Sequence, residues 1–368
     1  MRILFAGGGT AGHINPALSV ADYMKENNSD FEALFIGTER GLEKRLVPAG
    51  GYKIRYIDIR GFDRKHLLKN FAVLYKLWKS EHDCRRIIRE FKPDAVVCTG
   101  GYVSGPVSIA AHKEGVPSII HEQNVYPGLT VKGAEGYVNY VATSFAETKE
   151  HMKKPEKCVL TGNPIRSEIL HADKAAARAE LGLSDKPFVL VFGGSLGAQK
   201  INETMVGVLK KLIRDNEVSL LFGTGDRNYA EYIKRLKDEG IELTDDIKVV
   251  PYINNMSTAM AAADVVVSRA GAITVSEIAA LKKPAILIPS PNVVRNHQEQ
   301  NARELEKNNA AVVLTEDMLT PDILYDKIIE MTLDKERLAD MSRNAGKLAV
   351  TDALERIAVL VEKIIKEK

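Results

Sequence analysis

Short apolar runs alternate with amphipathic stretches along almost the whole chain. Arg2–Ala6, apolar from Ile3 onward, predicts a strand, while Asn15–Glu26 carries apolar residues at the three- and four-residue spacing of a helix. Further strands are predicted at Ala33–Ile36, at Ala95–Cys98 after Lys92-Pro93, and at Ser118–His121 after Val116-Pro117. The rhythm resumes at Phe188–Phe192, Ser219–Phe222, Lys248–Val250, Asp264–Val267 and Ala285–Ile288. Several of these runs are apolar at every position, the pattern of parallel strands covered by helices on both faces. Strands separated by helix-length segments predict right-handed βαβ units, so the fold class is α/β with parallel sheets. The C-terminus reads as helical from about Lys335, with a break at Asn344-Ala-Gly346 and a new start at Asp352. Ala353, Ile357, Val361 and Ile364-Ile365 then form an apolar stripe expected to pack back on the first domain.

Two of the predicted strands run into glycine-rich loops about half a chain apart. The first loop is Gly7-Gly-Gly-Thr-Ala-Gly-His13 and the second is Gly193-Gly-Ser-Leu-Gly-Ala198, ahead of a predicted helix Gln199–Lys211. A strand feeding such a loop aims backbone N–H groups and a helix N-terminus at one spot, which suits a phosphate. The repeat predicts twin Rossmann-like domains facing across a cleft. Gly162-Asn-Pro-Ile165 interrupts the pattern and is the expected hinge. The resulting division is 1–163, 164–349 and a terminal helix at 350–368.

The loops differ in chemistry. Gly7-x-Gly9-x-x-Gly12 fits the dinucleotide fingerprint, but the second strand ends Phe35-Ile-Gly-Thr38 without the acidic residue that would hold a ribose. His13 falls in the first turn of the following helix, where the dipole favours neutral imidazole and a role as general base; it could equally cap or pack. In the second loop Ser195 can present its hydroxyl to a phosphate oxygen, or the glycines can merely allow close strand–helix packing. A third turn, Ser268-Arg-Ala-Gly-Ala-Ile-Thr-Val-Ser-Glu277, places a carboxylate one turn into a helix. Glu277 can accept both vicinal hydroxyls of a ribose, or only complement the helix dipole. In the polar stretch Pro289–Asn301, the amides of Asn296, Gln298 and Gln300 offer the paired donors and acceptors that sugar hydroxyls require.

Bulk properties narrow the classes. With 368 residues, 45% of them hydrophobic, the chain can fill two ordinary cores, and a net charge of +2 gives no argument for nucleic acid. Cys84, Cys98 and Cys158 show no paired spacing, which fits a reducing compartment rather than a disulfide framework or structural zinc. No apolar run approaches the ~18 residues of a membrane span. The first strand enters its loop without a signal-type segment, and a cytoplasmic protein is expected.

Taken together, seven collinear segments resemble the MurG family of bacterial UDP-N-acetylglucosamine transferases in lipid-linked peptidoglycan synthesis. They are Gly7–His13 with Asn15 and Pro16, Thr99–Pro106, His121–Asn124, Thr161–Arg166, Gly193–Ala198, Arg269–Glu277 and Asn296–Asn301. Ala11 stands where that family often has glycine. The resemblance implies the two-domain GT-B fold and an inverting hexosyltransferase. Such an enzyme moves N-acetylglucosamine from UDP-N-acetylglucosamine to the 4-hydroxyl of undecaprenyl-diphospho-N-acetylmuramoyl pentapeptide. It implies Thr10, Ala11 and Gly12 along the donor sugar and diphosphate, Asn124 on the donor sugar, and Arg166 on the nucleotide side. Ser195 is implied on the diphosphate, and the Ile253 backbone on uracil. Ala272, Ile273, Thr274, Val275, Ser276 and Glu277 are implied on diphosphate and ribose, and Gln298 on the N-acetylglucosamine hydroxyls. The base is expected to be His13, with His121 as the alternative. The chain contains no Asp-x-Asp pair, so no metal and no other cofactor are expected.

Arg60–Lys92 carries ten Lys or Arg against four Asp or Glu, with Leu67-Leu68, Phe71, Leu74-Tyr75 and Trp78 at helical spacing. That stripe is either core or, given the implied lipid acceptor, a contact with an anionic membrane surface through Leu67–Trp78. The expected location is then the cytoplasmic face of the bacterial membrane, held peripherally. Three rival readings remain at this level. One is a GT-B transferase using another lipid acceptor such as diacylglycerol; the others are a nicotinamide-dependent oxidoreductase and a non-catalytic nucleotide-sugar sensor.

Overall fold

The computed structural model describes residues 1–59, 70–165, 167–194 and 197–368, with backbone alone at 70–76, 167 and 294. It divides into two compact units, Met1–Pro164 with Asp352–Lys368, and Ile165–Thr351. The chain thus crosses between units inside Gly162-Asn-Pro-Ile165.

The first unit is built on seven strands: β1 (Arg2–Ala6), β2 (Glu32–Gly37), β3 (Lys53–Tyr56), β4 (Ala95–Cys98), β5 (Ser118–Glu122), β6 (Tyr140–Thr143) and β7 (Cys158–Leu160). Their order is β3-β2-β1-β4-β5-β6-β7, and every neighbouring pair is parallel. All four residues of β4 are buried, as its unbroken apolar character requires, and all five of β5 are buried although Ser118, His121 and Glu122 are polar. The helix Ala353–Lys366 closes one face of this sheet. Of its stripe, Ile357, Val361 and Ile364 are buried in one cluster with Ile3, Phe5, Ala17, Val20 and Met24, and Ala353 is buried at the helix start. Each of the larger side chains contributes about 1.5–3 kcal/mol of transfer free energy there.

The second unit repeats the plan with β8 (Phe188–Phe192), β9 (Ser219–Gly223), β10 (Ile247–Val250), β11 (Val265–Ser268), β12 (Ala285–Leu287) and β13 (Ala311–Val313). The order is β10-β9-β8-β11-β12-β13, again parallel throughout. Both sheets therefore reverse their strand order beside the first strand of the unit, between β1 and β4 and between β8 and β11. Those switch points are where open parallel sheets hold ligands, beyond the carboxyl ends of the strands.

Three details differ from the sequence reading. The first helix begins at Ala11 rather than Asn15, with Thr10 in the extended N-cap conformation, so His13 lies inside its first turn. The helix Lys335–Lys347 runs through the expected break at Asn344–Gly346. Ala345 is fully buried and Gly346 falls in the last turn, where the missing side chain costs the helix little. The four strands β3, β6, β7 and β13 are three or four residues long and were not anticipated.

Candidate active site

In the first unit the loops after β1 and β4 are pressed together at the switch point. A Cβ on Gly101 would sit 2.1 Å from the Gly8 carbonyl oxygen, and one on Gly7 would sit 2.2 Å from Thr99 Oγ1. Thr99 Oγ1 donates to the His13 carbonyl at 2.6 Å, and Ser104 Oγ donates to the Ala6 carbonyl at 3.0 Å. The His13 ring lies against Gly100, whose φ of +100° and lack of a side chain leave it room; a Cβ there would come within 2.8 Å of the ring. His13 Nδ1 is 3.1 Å from Thr10 Oγ1 and 3.2 Å from the Gly8 carbonyl oxygen. Thr10, Ala11 and Gly12 are exposed at the helix N-terminus.

One donor of this loop is already taken. The Gly9 N–H donates to Glu43 Oε2 at 3.1 Å, and Glu43 is fully buried. A buried carboxylate on the amide of the fingerprint's second glycine excludes a pyrophosphate from that amide, so the first loop is not built as a dinucleotide cradle. Sequence reading missed Glu43; its signal is its place between Gly37, Gly41 and the glycine loop, which only the fold brings together.

At the end of β5, His121 is 1% exposed and both ring nitrogens are engaged. Nε2 is 2.9 Å from the Gly162 carbonyl, which can only accept, and Nδ1 takes a hydrogen bond from Gln123 Nε2 at 2.9 Å. Burial pushes its pKa down to about 4, so the ring is neutral. His121 thus ties β5 to the Gly162 turn, and a proton from substrate has no open ring nitrogen to go to. Next to it the buried carboxylate Glu122 accepts from Asn124 N, Asn124 Nδ2 and Gly128 N at 2.8–3.0 Å, which fixes Asn124 at the carboxyl end of the strand.

In the second unit the loop after β8 is packed equally tightly: Gly197 has φ of +74°, and a Cβ on it would meet the Thr224 carbonyl at 2.0 Å. Ser195 lies outside the described residues, as does Arg166. The helix Gln199–Asp215 starts directly after the loop, and the helix Ala272–Ala280 starts after β11 with Gly271 as its N-cap. Within the latter, Ala272, Val275 and Glu277 are buried, while Ile273, Thr274 and Ser276 are half-buried. A cavity of about 440 Å³ is lined by Gly193, Gly197, Gln199, Arg269, Asn292 and Gln298, among others. Its size and polar walls suit part of a nucleotide sugar. Gln298 Oε1 accepts from the Ser290 N–H at 2.9 Å, which leaves its amide NH2 as the donor end. Arg269 donates to the Ile288 carbonyl at 3.1 Å and pairs with Glu316, a wall of the same cavity that sequence reading did not single out. Arg295 and Asn296 both hold positive φ, 55° and 53°, immediately before the helix that carries Gln298. Two such residues in succession are strained backbone of the kind kept at binding loops. Ile253 follows β10 with its side chain buried against Gly223.

Of the basic stripe, Leu67, Leu68 and Lys69 lie outside the described residues. Trp78 is 63% exposed and stacks on His82, whereas Leu77 packs on the core. Among the described residues no helix is long and apolar enough to cross a membrane, and no three His, Cys, Asp or Glu are placed to share a metal ion.

Residues 3–143 match the glycosyltransferase family 28 N-terminal domain, and residues 188–357 match the glycosyltransferase family 28 C-terminal domain. A relative from Acetivibrio thermocellus is 46% identical over 369 residues, covering 100% of this chain and 99% of the relative. It is called UDP-N-acetylglucosamine--N-acetylmuramyl-(pentapeptide) pyrophosphoryl-undecaprenol N-acetylglucosamine transferase. A protein of the same name from Clostridioides difficile is 41% identical, covering 97% of this chain and 87% of the relative. Among solved structures, MurG of Acinetobacter baumannii superposes with a TM-score of 0.80 at 29% identity, covering 98% of this chain and 99% of that one. The fold is of the GT-B type, with a Rossmann-like sheet in each unit. Both halves match one family in order, and the identity to its curated members runs end to end: the chain belongs to glycosyltransferase family 28.

Proposed function

We infer that this chain transfers N-acetylglucosamine from UDP-N-acetylglucosamine to pyrophosphoryl-undecaprenol-linked N-acetylmuramyl pentapeptide, the step from lipid I to lipid II of peptidoglycan synthesis. The observation that carries this reading is the 46% identity, over the full length of both chains, to a transferase of that name.

The second unit is read as the donor side. Glu277 holds the ribose hydroxyls, the Ile253 backbone meets uracil, and Gln298 turns its amide toward the sugar. The diphosphate is met by the N–H groups of the loop after β8 and of Ala272–Ser276, together with Ser195 and Arg166. Two helix N-termini and these groups stabilise the departing UDP without a metal. On the first unit, Thr10, Ala11, Gly12 and Asn124 face the sugar being transferred. His13 takes the proton of the acceptor 4-hydroxyl as its oxygen attacks the anomeric carbon; the bond from that carbon to the diphosphate breaks, and the configuration inverts. The exposed Trp78 and the cations around it are read as a peripheral contact with the anionic cytoplasmic face of the membrane, where a lipid-linked acceptor is presented. Growth, shape and division of the cell would depend on the product.

The test is mass spectrometry of products from UDP-N-acetylglucosamine with the lipid-linked muramyl pentapeptide or with diacylglycerol, each with and without EDTA. The expected result is one N-acetylhexosamine added to the muramyl lipid alone, undiminished by the chelator. Addition to diacylglycerol would overturn the acceptor, and loss of product in EDTA restored by Mg²⁺ would overturn the metal-free mechanism.

A further inference from the structure

We propose that Glu43 is a positioning residue for His13, acting through the peptide group between Gly8 and Gly9; the inference rests on the reading of His13 as the base. The Gly9 N–H donates to Glu43 Oε2 at 3.1 Å, while the carbonyl of the same peptide unit, Gly8 O, lies 3.2 Å from His13 Nδ1. In a trans peptide the N–H and C=O point in opposite directions, so carboxylate and imidazole sit at the two ends of one peptide dipole. A negative charge at the N–H end polarises the unit and makes the carbonyl a stronger acceptor, the cooperative effect of linked hydrogen bonds.

That acceptor decides the tautomer of His13. Gly8 O can only accept, and Thr10 Oγ1, 3.1 Å from the same nitrogen, can accept as well. With the proton on Nδ1 both contacts are satisfied. With the proton on Nε2, the Nδ1 lone pair would face the carbonyl lone pairs. The Nδ1–H form is therefore held, and Nε2 is the basic nitrogen.

The carboxylate is built into place. Glu43 is fully buried, and its other oxygen accepts from Thr38 N at 3.0 Å and from Thr38 Oγ1 at 2.8 Å. A buried carboxylate is tolerated only when hydrogen-bonded in this way. Glycines wrap it: a Cβ on Gly41, Gly37 or Gly8 would meet the Glu43 side chain at 2.0, 2.5 or 2.9 Å. Tyr102 closes the far side, its hydroxyl 3.3 Å from Thr38 Oγ1 and its ring edge 3.0 Å from where a Cβ on Gly9 would stand. The three anchor points come from the loop after β1, the end of β2 and the helix Glu43–Ala49, so the carboxylate fixes the loop relative to the sheet as well as polarising it.

The experiment is ¹⁵N NMR of the full-length protein labelled at histidine and glycine, with turnover and UDP affinity measured alongside, for wild type, Glu43→Gln and His13→Ala. In the wild type at a pH where His13 is neutral, the proton is expected on Nδ1. Glu43→Gln keeps an acceptor for Thr38 but turns an NH2 toward Gly9. It should move the Gly9 amide proton upfield, introduce the Nε2–H tautomer, and lower kcat about 10- to 100-fold, the scale known for hydrogen-bond partners that orient metal-bound histidines. UDP affinity should stay unchanged. Wild-type His13 carrying its proton on Nε2 would overturn the proposal without any variant, as would a Glu43→Gln protein with unaltered tautomer and kcat. If the tautomer responds as stated while His13→Ala retains full turnover, the relay stands and the reading of His13 as base fails.

Discussion

Glu277 sits 8% exposed in the second turn of its helix, close behind the β8–β11 switch point. A carboxylate there that accepts charge-assisted bonds from two ribose hydroxyls should be worth roughly 1.5–3 kcal/mol to the donor. Glu277→Ala is accordingly expected to weaken UDP-N-acetylglucosamine binding by about 10- to 150-fold in calorimetry, and unchanged affinity would remove it from the site. His121 gives a residue prediction of another kind. Its native pKa of about 4 lies below the ~6.5 of an unfolded histidine. Above pH 6.5 neither state is protonated and the residue contributes nothing to pH dependence. As the pH falls from 6.5 toward 4 the unfolded chain gains a proton that the native ring refuses, and stability drops by about 3 kcal/mol. Ring-proton NMR should show this histidine neutral at pH 5.5; titration near 6.5 would contradict the buried, doubly bonded ring. The places of His13 and Glu277 on their helices were legible in the sequence because each stands at a fixed offset from a glycine turn. Glu43 was not, because its partners Gly9 and Thr38 come from different segments that meet only in the fold.

At the scale of elements, β4 and β8 announce themselves as unbroken apolar runs, and β1 and β11 nearly so, since a central parallel strand is covered on both faces. β7 and β13, three residues each, are too short to do so, and β3 is too polar: Lys53-Ile-Arg-Tyr56 at a sheet edge has only one half-buried residue. The helix Asn70–Phe91 shows a different ambiguity. Its C-terminal half is fastened to the unit by Arg85 and Arg89, which bond Glu114 at 2.5–2.9 Å. Arg89, with Arg85 behind it, holds the Glu114 carboxyl down to about 2, so this clamp is ionised at any working pH. The same helix turns Leu77 inward and leaves Trp78 exposed, a distinction that helical spacing alone could not make. Replacing Lys69, Lys76 and Lys79 together by glutamate should reduce co-sedimentation with anionic vesicles. Salt should do the same for the wild type, because surface charge is screened within about 8–10 Å. Binding indifferent to both would leave the helix an ordinary amphipathic one.

Across the whole molecule the sequence carries the same βα plan twice, and the two strand orders, each reversing beside its first strand, express that repetition. The glycine loops looked alike in the sequence but differ in use. The amide at Gly9 is spent on an internal carboxylate, whereas the loop after β8 opens onto a cavity walled by Arg269 and Gln298. The proposed function accordingly puts donor binding in the second unit and proton transfer in the first. The measurement that tests this division most directly is the single-turnover rate of His13→Ala with saturating donor and lipid-linked acceptor. Loss of a general base should lower it by roughly 10²–10⁴-fold, with UDP-N-acetylglucosamine affinity nearly unchanged. A rate close to that of the wild type under saturation would contradict the account.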